Sequence, residues 1–97
     1  MVDNNHILTI LKEAKPLLQQ NYGIKSLALF GSYSRNTAIN GISDIDLMVE
    51  FSEPIGIRFI DLADELEEIL KHKVDLVSRN GIRPKYFNVI EPDLIYV

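Results

Sequence analysis

Two aspartates one residue apart, Asp44 and Asp46, open the segment Asp44-Ile45-Asp46-Leu47-Met48-Val49-Glu50-Phe51. Side chains two apart on a strand share a face. The two carboxylates therefore stand side by side, while Ile45 and Leu47 point the other way into a core. Adjacent carboxylates repel unless something positive sits between them, and a hard divalent cation with oxygen ligands, such as Mg2+, suits that position. Upstream, Phe30 leads into Gly31-Ser32. Glycine lets a phosphate approach the backbone with no Cβ in the way, and N–H groups at a helix start form an anion seat. Arg35 follows in the same turn. Its planar guanidinium suits a site carboxylate or a triphosphate, or else a local ion pair at the surface. Asp75 lies within the short apolar run Val74-Asp75-Leu76-Val77. A charge there is unfavourable unless it is paired, metal-bound or turned to water at a sheet edge. A phosphate seat beside a metal-binding carboxylate pair is equipment for moving a nucleotide.

These groups need elements to hold them. Ile24 to Phe30 reads as a first strand, apolar after Lys25 and consistent with burial on both faces. The polar loop after it contains one short helical turn. Asn36 tolerates positive φ, and Asn40-Gly41 turns the chain into a second strand, Asp44 to Phe51. Val74 to Val77 forms a third. Before the strands, residues from about Asn5 to Gln20 form an amphipathic helix with Ile7, Ile10, Leu11, Ala14, Leu17 and Leu18 on one stripe. Asn4 or Asn5 is placed to cap it, Pro16 to kink or restart it, and Gly23 to end it in the left-handed conformation. His6 reads as a solvated surface residue.

A second long helix spans Phe59 to Lys71, with Phe59, Leu62, Ala63, Leu66, Ile69 and Leu70 as its apolar stripe. Asp61, Asp64, Glu65, Glu67 and Glu68 read as a solvated face, or as a docking face for a basic partner. His72 and its flanking lysines complement the helix macrodipole. Pro84 starts a short helix to about Ile90, Glu91-Pro92-Asp93 breaks it, and Leu94 to Val97 suits a last edge strand. Arg79, Arg83 and Lys85 form a basic cluster that faces either the nucleotide or a partner.

Phe30-Gly31-Ser32 followed by Asp44-Ile45-Asp46-Leu47 resembles the signature of the nucleotidyltransferase superfamily, with its polymerase-beta-like fold. The fuller strings Gly31-Ser32-Tyr33-Ser34-Arg35 and Ser43-Asp44-Ile45-Asp46-Leu47 are similar to its minimal nucleotidyltransferase branch. That branch usually has Ala where this chain has Ser34 and Gly where it has Asn36. The resemblance covers Ile24 to Val77 and implies an α/β fold, a small mixed β-sheet flanked by helices. It further implies two-metal phosphoryl transfer with ATP as donor and two Mg2+ ions held by Asp44 and Asp46. Asp75 becomes the third acidic residue, ligating the catalytic ion and helping to deprotonate the attacking hydroxyl. Gly31 and Ser32 take the terminal phosphates, and Arg35 stands beside them as a candidate nucleotide-binding residue. Proteins of this branch act as antitoxins, adding AMP to a tyrosine of a HEPN-type helical toxin, so the resemblance implies such a partner.

Bulk properties narrow the alternatives. With 97 residues the chain is expected to be one domain, 1–97, with room for a modest core and none for a separate substrate domain. Its 46% hydrophobic and 25% charged content are ordinary for a globular protein. No apolar run is long enough to span a bilayer and no signal-peptide pattern is present, so no membrane role and a cytoplasmic location are expected. The absence of cysteine excludes disulfides and thiolate metal sites. A net charge of −4 argues against extended nucleic-acid binding. The acceptor site is therefore expected from a partner or a second copy of the chain. Two readings of other kinds stand beside the enzyme acting on a protein. One is a binding antitoxin or assembly subunit that works by contact. The other is adenylyl transfer to a small molecule, which the missing second domain disfavours.

Overall fold

The computed structural model describes residues 3–97. Its first helix, α1 (Asn4–Tyr22), starts where Asp3 accepts a hydrogen bond from the His6 N–H at 2.9 Å. The cap is therefore Asp3 rather than the expected Asn4 or Asn5, because only a side chain preceding the first turn can reach that free N–H. The helix runs on through Pro16, so no fresh helix starts there. It ends at Gly23, whose φ of 65° is left-handed and whose N–H returns to the Gln19 carbonyl. Ile7, Leu11 and Leu18 are buried, Ile10 and Ala14 half-buried, and Leu17 is exposed. The buried stripe is thus narrower than the sequence pattern suggests.

The strands are β1 (Ile24–Phe30), β2 (Ile45–Phe51), β3 (Val74–Ser78) and β4 (Ile95–Tyr96). They form one sheet in the order β3-β2-β1-β4. β1 runs antiparallel to both β2 and β4, whereas β2 and β3 are parallel. A parallel neighbour requires a crossover, which α3 (Arg58–Leu70) supplies. The expected small mixed sheet flanked by helices is what the chain forms.

Alternation along the strands divides the core in two. Leu27, Leu29, Ile45, Leu47, Val49 and Phe51 pack in one cluster with Ile7, Leu11 and Leu18 of α1 and Leu62, Leu66 and Leu70 of α3. On the opposite face Phe30 and Met48 pack with Ile90 of α4 (Pro84–Ile90) and with the half-buried Val77 and Phe87. Each such side chain removed from water contributes about 1.5–3 kcal/mol. β1 and β2 are therefore covered on both sides, as the apolar run from Leu27 to Phe30 suggests. Asp46 and Asp75 share the α4 face, because each is offset by one residue from the inward-facing Ile45, Leu47, Val74 and Leu76.

The acidic residues of α3 do not act as one solvated face. Asp61, Asp64 and Glu68 are exposed, but Glu67 accepts the Val74 N–H at 3.0 Å and so anchors the start of β3. Among the described residues no helix is long and apolar enough to cross a membrane.

Candidate active site

The site gathers where β1 ends and β2 and β3 begin. Antiparallel pairing puts Phe30 opposite Asp46, and parallel pairing puts Asp46 opposite Asp75. Three chain segments thus deliver Gly31, Asp46 and Asp75 to one end of the sheet. The helical turn α2 (Gly31–Ser34) follows β1 directly. Its first N–H groups have no partner inside the helix, which is the condition for an anion seat. Thr37 closes the turn by donating its N–H to the Ser32 carbonyl at 2.9 Å.

Gly31 is held at φ 74°. A Cβ built there would lie 2.1 Å from Asp46 Oδ2 and 2.9 Å from Asp46 Cγ. The glycine therefore satisfies two demands at once, a left-handed backbone and the close seating of a carboxylate. The group packed against its bare Cα face is Asp46, an intimacy that the residue types alone do not disclose.

Asp46 is half-buried, and its carboxyl is pushed up to about 6. Burial is the first cause, followed by the charges of Asp75 and then Asp44, with Arg35 opposing them. The three carboxylates of the sequence analysis are thus one electrostatic cluster. Asp44 lies just before β2 rather than within it, and both Asp44 and Asp75 are exposed. Among the described residues, no three His, Cys, Asp or Glu side chains are grouped closely enough to hold a metal ion as they stand. The donor set nonetheless fits a hard cation. It consists only of carboxylate oxygens, it raises the proton affinity of its most buried member, and a divalent charge would relieve the repulsion.

Arg35 turns toward the C-terminal part of the chain. Its guanidinium meets Asp93 at 2.5 Å, and the neighbouring Ser34 hydroxyl donates to the Asp93 carbonyl. The local ion pair, one of the two roles considered for Arg35, is therefore formed. Its positive charge also works against the upward shift of the Asp46 carboxyl. Of the basic residues beyond β3, Arg79 stacks its guanidinium 3.9 Å from the centroid of the Phe87 ring, and Arg83 and Lys85 are exposed.

Sequence reasoning missed two participants. Tyr33 is buried, and its hydroxyl lies 3.1 Å from His72 Nε2. His72 is therefore not simply a complement to the macrodipole. α3 ends at Leu70, its cap residue Lys71 is left-handed with φ 53°, and the imidazole that follows turns toward Tyr33. An aromatic residue inside a turn otherwise made of Gly and Ser was the available signal for Tyr33. Nothing local marks His72.

A mixed sheet whose first strand runs into a Gly-Ser helical turn beside a carboxylate-bearing neighbour defines a nucleotidyltransferase-type core. Residues 11–97 match the family model described as "Nucleotidyltransferase domain", and the chain belongs to that family. It is 45% identical to a Methanocaldococcus jannaschii protein named as a protein adenylyltransferase, over 96% of both chains. It is 33% identical to the protein adenylyltransferase MntA of Thermococcus cleftensis, over 100% of this chain and 98% of that one. Among solved structures, a minimal nucleotidyltransferase superposes with a TM-score of 0.78 at 29% identity, covering 97% of this chain and 95% of the other. A toxin–antitoxin structure with AMP-PNP superposes with a TM-score of 0.60 at 29% identity, covering 84% of this chain and 61% of the other.

Proposed function

We propose that this protein transfers AMP from ATP to a tyrosine hydroxyl of a HEPN-type helical toxin in the cytoplasm, and so acts as its antitoxin. The observation that carries this reading is the meeting of Gly31, Asp46 and Asp75 at one end of the sheet, with Asp44 adding its charge. The similarity to protein adenylyltransferases over nearly the full chain supports a protein acceptor, and the likeness to a toxin–antitoxin structure with AMP-PNP supports both partner and donor.

Asp44 and Asp46 would hold two Mg2+ ions, with Asp75 as a further ligand of the catalytic one. When bound, the ions stabilise the charge that develops on the attacking and leaving oxygens. The chain's own groups do the rest by positioning. N–H groups of the Gly31-Ser32 turn and the Ser32 hydroxyl donate to the terminal phosphates. Arg35 stands at the rim to neutralise them. Asp75, on the exposed edge strand, accepts the tyrosine proton. The tyrosine oxygen bonds to the α-phosphorus, the α–β bridging bond breaks, and pyrophosphate leaves.

The test is to incubate the protein with Mg2+, α-labelled ATP and the helical protein encoded beside it, then map the adduct by mass spectrometry. AMP on a tyrosine of the neighbour is the expected result. Label on RNA ends or on a small molecule, with none on the neighbour, overturns the reading. A tightly bound but unmodified neighbour makes the protein a binding antitoxin instead.

A further inference from the structure

A chain of hydrogen bonds runs beneath the site and is not used by any step above. Tyr33, the residue after Ser32, buries its ring in the main core. Its hydroxyl lies 3.1 Å from His72 Nε2, and the two rings meet edge to face with centroids 5.5 Å apart. His72 Nδ1 is 3.0 Å from the Lys73 carbonyl. That carbonyl also accepts the N–H of Ile45 at 2.9 Å. A carbonyl can only accept, so Nδ1 carries a proton; in the neutral ring Nε2 is then the acceptor and the Tyr33 hydroxyl donates.

The path therefore joins three segments in space. It starts in the turn that carries Gly31 and Ser32. It passes through the junction between α3 and β3, two residues before Asp75. It ends on the backbone between Asp44 and Asp46. We propose that Tyr33 and His72 are positioning residues for nucleotide transfer, a hydrogen-bonded strut that fixes the Gly31-Ser32 turn relative to Asp44 and to the strands bearing Asp46 and Asp75. The turn has only four helical residues, too few to be rigid by itself. It seats Asp46 against Gly31 with no spare room, so a small displacement of the turn moves the carboxylate with it. Misplacing reacting groups by about 1 Å costs on the order of 100-fold in rate.

The inference rests on the transfer activity proposed above, and its test separates the two. Wild type is compared with Tyr33→Phe, His72→Ala, His72→Gln and the double variant Tyr33→Phe/His72→Ala. Tyr33→Phe keeps the buried ring and removes only the hydroxyl. The expected result is a kcat for AMP transfer roughly 10-fold lower in Tyr33→Phe and in His72→Ala, with KM for ATP within about 3-fold of wild type. The double variant should lose no more than either single one, since both break the same strut. His72→Gln, which keeps an acceptor, should recover part of the loss. Wild-type kcat in Tyr33→Phe, multiplying losses in the double variant, or a His72→Gln variant no better than His72→Ala each overturn the proposal. Amide hydrogen exchange at Thr37, whose N–H closes the turn onto the Ser32 carbonyl, and at Ile45, measured without nucleotide or partner, reads the strut directly. Faster exchange at both sites in Tyr33→Phe is expected, and unchanged exchange overturns it. Absence of transfer by the wild type counts against the proposed function alone, and the exchange result then decides the strut.

Discussion

Asp46 and Asp75 stand opposite one another on parallel strands, on the same face of the sheet and each flanked by apolar residues. Their surroundings differ because their strands do. β2 is central, with neighbours on both sides, whereas β3 is the edge. Asp46 is packed against Gly31 and half-buried, with its carboxyl pushed up to about 6, first by burial and then by Asp75 and Asp44. Asp75 is exposed. The same local pattern of apolar-Asp-apolar thus yields two kinds of carboxylate. One is packed against a glycine among like charges. The other faces solvent. Strand order makes the difference.

The hardest test of that contrast is Asp46→Asn. Under the proposed function it removes a metal ligand and, at the same time, a repulsive charge. We expect AMP transfer to fall by at least about 1,000-fold, in keeping with loss of a charge-stabilising group in phosphoryl transfer. The metal-free melting temperature at pH 7.5 should stay unchanged or rise, since the partly buried charge is gone. Labelled-ATP assays and circular dichroism melts check both halves. Full activity in the variant would remove Asp46 from the site. Gly31→Ala probes the same contact from the other side. Its Cβ would collide with the Asp46 carboxylate, and its φ of 74° strains any L residue by roughly 1–2 kcal/mol. Transfer should drop by on the order of 100-fold through displacement of Asp46, and the protein should melt lower. A variant with normal turnover would show that the seating is incidental.

Much of this contrast was open to a reader of the chain alone, and the reasons are specific. Period-two alternation places Ile45 and Leu47 in the core and turns Asp46 away, and both are buried as that pattern requires. Gly23 and Asn36 sit at positive φ, where their types suit them. What escaped depends on contacts distant in sequence. The Asp93 carboxylate that takes Arg35 is 58 residues away from it, and His72 is 39 residues from Tyr33. No periodicity encodes such pairings. The start of β2 at Ile45 rather than Asp44 is equally non-local, because the Ile45 N–H is taken by the Lys73 carbonyl of a separate segment. The edge position of β3 follows from topology, which the apolar run Val74 to Val77 leaves open between an edge and a central strand.

Asp75→Ala sharpens the comparison from the exposed side. Its carboxylate is assigned to the acceptor oxygen and to the catalytic ion, not to the triphosphate. We expect kcat to fall by about 10-fold to 100-fold, in the range of general-base contributions, while ATP affinity stays within about 3-fold and the melting temperature is nearly unchanged. Loss of ATP affinity with normal turnover at saturation would reverse the assignment.

The smallest effect is a pH dependence of stability, and it separates the two carboxylates without any assay of transfer. A carboxyl raised to about 6 in the folded state binds a proton more tightly there than in the unfolded chain, where the ordinary value of 3.8 applies. Its contribution is therefore fully present below about pH 4 and is lost as pH rises through 6. Melts in EDTA should show the wild type losing stability relative to Asp46→Asn across that window, by a few degrees at most because Asp46 is only partly buried. Asp75→Asn removes the second-ranked cause of the shift, so the same loss should occur at lower pH and be smaller. Adding Mg2+ at pH 7.5 should restore stability to the wild type by binding the folded state and leave Asp46→Asn largely unmoved. If the three proteins respond alike to pH and to Mg2+, the carboxylates are independent surface groups, and the distinction between a central and an edge aspartate has no energetic content.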